Sequence, residues 1–217
     1  MSDFRIKTYV LGPVSTNCYV IYNDQTKEAV IVDPADHASR ILDKCRELNV
    51  KPTAILLTHG HFDHIMAAKE VRAAFGCKLY AGRKEERMLL DPSVNMTINM
   101  GVEQISIRPD VLVDEGNELQ MAGYIWKVLE TPGHTPGCVC YYCAEEDVLI
   151  SGDTLFAESL GRTDFPGGST SAIIKSISEK LFALPDDTMV YPGHGEPTTI
   201  GHEKKYNPVA MYVRRNR

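Results

Sequence analysis

Apolar residues in the first part of the chain fall in short β-branched or aromatic runs, at 8–11, 18–22 and 29–32, parted by Gly12-Pro13 and Asn23-Asp24. Runs of this length between turn formers predict strands. The period then changes: Ile41, Leu42, Cys45 and Leu48 share one helical face, and Pro52 lies just past the pattern. That predicts a helix. The apolar run 54–57 predicts a buried strand that leads straight into Thr58-His59-Gly60-His61. An Ala-rich helix over about 65–75, stopped by Gly76, and a strand at 78–81 follow.

Further strands are predicted at 111–113, 124–129, 139–143, 148–150 and 189–191. Between the last two, Ser169 or Thr170 caps a long helix that carries Ile173, Ile174, Ile177, Leu181 and Phe182 on one face and ends before Pro185. Strands in both halves, with helices between and outside them, suggest an α/β sandwich of two sheets packed face to face and covered by helices. No linker or low-complexity segment interrupts the pattern, so one domain over 1–217 is expected.

Composition narrows the function. A hydrophobic share of 43% in 217 residues can fill a large core. The net charge of −6 argues against nucleic acid as a partner and for a small-molecule substrate. No apolar run is long enough to cross a membrane, and the amino end lacks the apolar core of a signal peptide, so a cytoplasmic location is expected. Six cysteines are too few for a disulfide scaffold and read as buried thiols. Cys138 and Cys140 fall on one strand face and Cys143 on the other, against a second metal site there.

The seven histidines carry the chemistry. Five lie in three segments just beyond predicted strands: His59-Gly-His61-Phe-Asp63-His64, Gly133-His134-Thr135 and Gly193-His194-Gly195. Asp153 stands at a fourth strand end. Loops at strand ends can bring distant ligands together, imidazoles suit zinc, iron or manganese, and a carboxylate can bridge two cations. Seven such side chains suffice for two sites with a position left open, a catalytic signature. Asp33, after the third strand, is placed to orient the ligand loop. His37 and His202 stand outside the motifs and read as surface residues, as does the basic end at Arg214, Arg215 and Arg217.

The motif Thr58-His-Gly-His-Phe-Asp-His64, with Gly-His134, Gly-Asp153 and Gly-His194, resembles the metallo-β-lactamase superfamily. Thr16-Asn17-Cys18-Tyr19, Thr131-Pro-Gly-His-Thr-Pro-Gly137 and Gly161-Arg-Thr-Asp-Phe-Pro-Gly-Gly168 resemble its glyoxalase II branch, which cleaves thioesters of hydroxyacids. Only 23 residues follow His194, which resembles the single-domain form. The resemblance implies the αββα four-layer sandwich and two divalent metal ions, zinc before iron or manganese. His59, His61 and His134 would hold the first, Asp63, His64 and His194 the second, and Asp153 would bridge them. Asp63 and Asp153 are thereby also the candidate catalytic carboxylates. The implied reaction is attack of a metal-activated hydroxide on a thioester such as S-lactoylglutathione. Arg162 and Asp164 could pair with each other or face the substrate. An alternative within the fold is an iron-dependent persulfide dioxygenase, which uses one iron held by two His and one Asp; retention of His64 and His194 favours the hydrolase.

Overall fold

The structure, a computed structural model, describes residues 2–215. Six strands follow one another in space as in sequence to form the first sheet: β1 (Phe4–Leu11), β2 (Thr16–Asn23), β3 (Glu28–Val32), β4 (Lys51–Leu56), β5 (Lys78–Gly82) and β6 (Val111–Val113). β1 to β3 are antiparallel and β3 to β6 parallel. Parallel neighbours need crossover connections. Those are supplied by α1 (Ala38–Glu47), then α2 (Phe62–Ile65) with α3 (Ala68–Phe75), then α4 (Glu86–Leu90) and the segment after it.

The second sheet contains β7 (Glu118–Met121), β8 (Tyr124–Glu130), β9 (Val139–Cys143) and β10 (Val148–Gly152). A small hairpin of β11 (Leu155–Phe156) and β12 (Ser159–Leu160) and the helix α5 (Thr170–Lys175) intervene before β13 (Met189–Pro192) and β14 (Thr198–Thr199) complete it. Its order is β14-β13-β10-β9-β8-β7, antiparallel throughout except between β10 and β13. The chain continues through α6 (Ile200–Tyr206) and α7 (Pro208–Arg215).

Alternation along the strands assigns the faces. Tyr19 and Ile21 of β2, Ala54 and Leu56 of β4 and Val139 and Tyr141 of β9 meet in the cluster between the sheets. Cys18 and Val20 turn outward with Ile55 against Ile41 of α1 and Val71 of α3. Cys140 and Tyr142 turn outward against Ile173, Ile177, Leu181 and Val209. Three apolar layers between four layers of structure make the expected αββα sandwich, and each fully buried aliphatic or aromatic side chain contributes roughly 1.5–3 kcal/mol.

The sequence placed the strands well and the helices less well. The helix expected over 65–75 is two, because the chain breaks at Met66 and Ala67, with α3 ending at Gly76 in the left-handed conformation as expected. The long helix expected after Ser169 is capped by the Ser169 hydroxyl, which accepts from Ala172 N–H. It stays α-helical only to Lys175, then widens into a π turn and tightens into a 3-10 turn by Ala183. That distortion keeps Ile177 and Leu181 on the core while the backbone turns toward Pro185. β7, β11, β12, β14, α4, α6 and α7 lie outside the expected elements, and β1 starts four residues before the expected 8–11. Arg214 and Arg215 end α7; Arg217 lies outside the described residues. Among the described residues no helix is long and apolar enough to cross a membrane.

Candidate metal centre

All seven sequence-marked side chains converge at the carboxyl ends of the strands. The His59–His64 segment follows β4, His134 follows β8, Asp153 follows β10 and His194 follows β13. Ligand-type atoms of His59, His61 and His134 lie within 4.8 Å of one another, as do those of Asp63, His64 and His194. Asp153 joins the two sets. Its Oδ1 is 3.4 Å from His64 Nε2, and its Oδ2 is 3.5 Å from both His134 Nε2 and His194 Nε2. Six of the seven are buried; His194 is partly open.

Neighbouring groups decide which nitrogen of each ring faces inward. A backbone carbonyl can only accept, so His134 Nδ1, 2.8 Å from the Arg162 oxygen, carries its proton there and aims Nε2 at the cluster. His64 Nδ1 likewise donates to Asp33 Oδ2 at 2.9 Å. His59 Nδ1 is 3.2 Å from the Thr58 hydroxyl, which donates in turn to Asp33 Oδ2 at 2.6 Å, and Thr58 N–H donates to Asp33 Oδ1 at 2.8 Å. The expected orienting role of Asp33 therefore has its geometry.

The Thr16-Asn17-Cys18-Tyr19 motif has a similar task at the second set. Thr16 donates to Asp63 Oδ2 at 2.8 Å. Asn17 Nδ2 donates to the carbonyls of Pro192 and Gly195, and the Tyr19 hydroxyl donates to that of Pro192, holding the His194 turn from both sides. Gly193 is required where it stands, because an added Cβ would overlap Asp153 Oδ1 and come 2.8 Å from His64 Cε1.

With protons as the only cations, the cluster divides its charge. Burial holds His59 well below the ordinary histidine range and takes His61 to about 3, the neighbouring imidazoles adding to the effect. Burial opposes the charge on His64 and His194 too, but Asp63 and Asp153 prevail, keeping His64 well above the usual range and His194 at about 10. Burial pushes the Asp63 carboxyl up, yet His64 and His194 bring it to about 2; Asp153 is held low chiefly by His64 against the same burial.

His59 Nε2, His64 Nε2 and Asp153 Oδ1 are buried without a well-formed hydrogen bond, the last two meeting only in their 3.4 Å ion pair. Each unpaired buried polar atom costs about 1–3 kcal/mol, and these three point into one space with four more donors around it. A cation fills that deficit, so the residues fit a metal centre.

Arg162 and Asp164 pair through two hydrogen bonds of 2.7 Å, and the guanidinium lies 3.8 Å over the Phe165 ring, which meets His61 edge-on at 5.4 Å. Arg162 thus both pairs with Asp164 and, with Phe165, lines the open cavity over the cluster, while the main chain of this stretch orients His134. His37 and His202 lie at the surface beside Asp36 and Glu158. All six cysteines are buried and free. Glu85, which the sequence reading missed, is 1% exposed beneath the ligand loops. It sits in the run Arg83-Lys-Glu-Glu-Arg87, which reads as a solvated face.

The family model described as the metallo-beta-lactamase superfamily matches residues 11–194. The chain belongs to that superfamily. Among curated relatives, this metallo-beta-lactamase superfamily member is 39% identical to a probable metallo-hydrolase, YqgX, of Bacillus subtilis over 91% of the chain and 93% of the relative. It is 38% identical to the hydroxyacylglutathione hydrolase GloC of Haemophilus influenzae over 88% and 91%. Among solved structures it is similar to BLEG-1 B3 metallo-beta-lactamase, with 43% identity, a TM-score of 0.89 and coverage of 94% of this chain and 98% of that one. A chain solved in a di-iron-bound form gives 33%, 0.82, 93% and 98%. ETHE1 from Myxococcus xanthus gives 31%, 0.77, 94% and 83%.

Proposed function

We propose that the chain is a metal-dependent hydrolase that cleaves thioesters of small hydroxyacids, of the S-lactoylglutathione kind. The observation that carries the reading is the pair of ligand sets sharing Asp153 at the floor of one cavity. His59, His61 and His134 would hold one divalent ion, Asp63, His64 and His194 a second, and Asp153 would serve both; the donor set accepts zinc and equally iron or manganese. Bound there, such ions supply Lewis acidity and lower the pKa of water.

The protein's own groups do the rest. The cavity, of about 350 Å3, is walled by the apolar side chains of Val14, Phe62, Met96, Met100 and Phe165, with Arg162 beside them, above His61, Asp63, His134, Asp153 and His194. Apolar walls thin the water around a reacting carbonyl and strengthen every charge interaction at the floor. Asp63 and Asp153 stay ionised at the floor, where they offset cationic charge, and Thr16 fixes Asp63 Oδ2 in place. A thiolate leaves with a conjugate-acid pKa of roughly 8–9, so no strong general acid is needed beside it. The resemblance to the enzyme named GloC supports this substrate class, and two complete ligand sets favour hydrolysis over the single-iron dioxygenase reading that the likeness to ETHE1 raises.

The deciding experiment measures metal content together with thiol release from S-lactoylglutathione, with and without oxygen. Two ions per chain and oxygen-independent release, abolished in His59→Ala, are expected. One iron per chain with oxygen uptake on glutathione persulfide and no thiol release would replace this reading with the dioxygenase.

A further inference from the structure

Glu85 closes a 3-10 turn after β5, and its carboxylate is removed from water. A buried carboxylate needs its acceptor sites filled, and its three hydrogen-bond donors among the described residues all come from the candidate ligand loops. Oε2 accepts from Gly60 N–H at 2.9 Å, between His59 and His61. Oε1 accepts from the Thr135 hydroxyl and from Gly137 N–H, each at 2.7 Å, just beyond His134. One side chain therefore ties together two loops whose histidines, His61 and His134, are 73 residues apart in sequence and face each other at 2.9 Å.

The packing around the carboxylate leaves little slack. A Cβ on Gly137 would stand 2.5 Å from Glu85 N and 2.8 Å from Oε1, and one on Gly60 would stand 3.2 Å from Oε2 and 2.9 Å from Met88 Cγ. Burial pushes the Glu85 carboxyl up, while its hydrogen bonds from Thr135, Gly137 and Gly60 pull it down. Asp63, His64 and His194 are held by other residues, namely Thr16, Asp33, Asn17 and Tyr19.

We propose that Glu85 is the positioning residue of the His59–His61–His134 set, fixing the separation of its two loops, and that the Asp63–His64–His194 set does not depend on it. This rests on the two-metal reading given above. The hydrogen bonds of the Glu85 carboxylate go to Gly60, Thr135 and Gly137 rather than to a candidate ligand side chain, so it acts through those three residues. An amide at this position cannot replace the carboxylate. Whichever way it turns, its NH2 group meets the N–H of Gly60 or of Gly137, donor against donor, and one loop loses its anchor.

The test uses the full chain loaded with cobalt(II) and titrated with a competing chelator, reading ions retained per chain and the visible absorption of each bound ion. His61→Ala identifies the release step that belongs to the three-histidine set. In Glu85→Gln that step is expected to weaken by about 10–100-fold, the range seen for outer partners of metal ligands, with an altered cobalt spectrum. The other step stays within twofold of wild type. A general loss of packing would lower the melting temperature and weaken both steps together, and that result overturns the proposal, as does an unchanged titration. If Glu85→Gln does not fold, Thr135→Val decides: selective weakening of the same step supports the proposal, and wild-type binding overturns it. Fewer than two ions on the wild-type chain would instead defeat the two-metal reading, before any variant is compared.

Discussion

Asp33 Oδ2 lies 2.9 Å from His64 Nδ1, with both side chains buried. The same carboxylate accepts from the amide and hydroxyl of Thr58, so one residue sets a ring direction and the entry of the ligand loop. Asp33 itself sits at a φ of 46°, a left-handed conformation costly for a side-chain-bearing residue and retained here beside the site. Asp33→Asn keeps the shape and removes the charge. It is expected to weaken metal binding by about 10–100-fold and to lower stability by about 1–3 kcal/mol. Metal titration and chemical denaturation of the same preparation check both; unchanged affinity would refute the orienting role.

Gly193 tests how closely the loop after β13 approaches the Asp153 carboxylate. In Gly193→Ala the new methyl group meets Asp153 Oδ1 and His64 Cε1, and neither neighbour can retreat within a buried cluster. Displacement of catalytic groups by about 1 Å can cost on the order of 100-fold in rate. The variant is expected to fold, with metal content below wild type and turnover reduced by at least that factor. Full metal occupancy with ordinary turnover would mean the loop can shift aside.

The cysteines give a prediction free of the metal centre. All six are buried, and burial pushes the thiols up, Cys45 to about 12 and Cys140 to about 11. Reaction with a disulfide reagent requires thiolate and access. The native chain should therefore label slowly at pH 8 and yield six thiols only after denaturation. Fast labelling of even one thiol in native protein would contradict the buried assignment, and slow labelling makes thiol release a clean assay for turnover.

The parts of the site legible in the sequence were those whose residue types are scarce and patterned. His59, His61, Asp63 and His64 stand on one tight loop, and His134, Asp153 and His194 each follow a glycine at a strand end. Asp33 was visible for a related reason, as an acidic residue ending an apolar strand. Glu85 was not, because its neighbours Arg83, Lys84, Glu86 and Arg87 make a run that looks solvated, and only the fold reveals that one of five charges turns inward. Apolar runs between turn formers likewise exposed most of the long β strands but not β7, whose sequence Glu-Leu-Gln-Met is half polar. The helix after Ser169 kept its apolar face and lost its regular geometry, since side-chain periodicity does not register a π turn.

The charge balance of the cluster predicts how chelated protein responds to pH. His194 rises to about 10 from an ordinary 6.5, and His64 moves the same way, because Asp63 and Asp153 outweigh the opposing burial. Their stabilising contribution is complete below about pH 6.5 and is lost as pH climbs through 10. His61 falls to about 3, chiefly by burial, so unfolding takes up a proton below pH 6.5 and stability declines from there toward pH 3. Asp63, at about 2 because His64 and His194 overcome its burial, adds stability above its ordinary 3.8 that disappears as pH falls through 2. The melting temperature of chelator-treated protein should thus peak near pH 6.5 and drop on both sides. Metal ions held by His64 and His194, as proposed, would displace the protons there, so loading would release protons, weaken as pH falls, and remove the alkaline decline. Melting curves from pH 4 to pH 10, with and without added zinc, measure this. Stability of the chelated form that climbs steadily from pH 7 to pH 10 would show that the carboxylates do not hold His194 protonated.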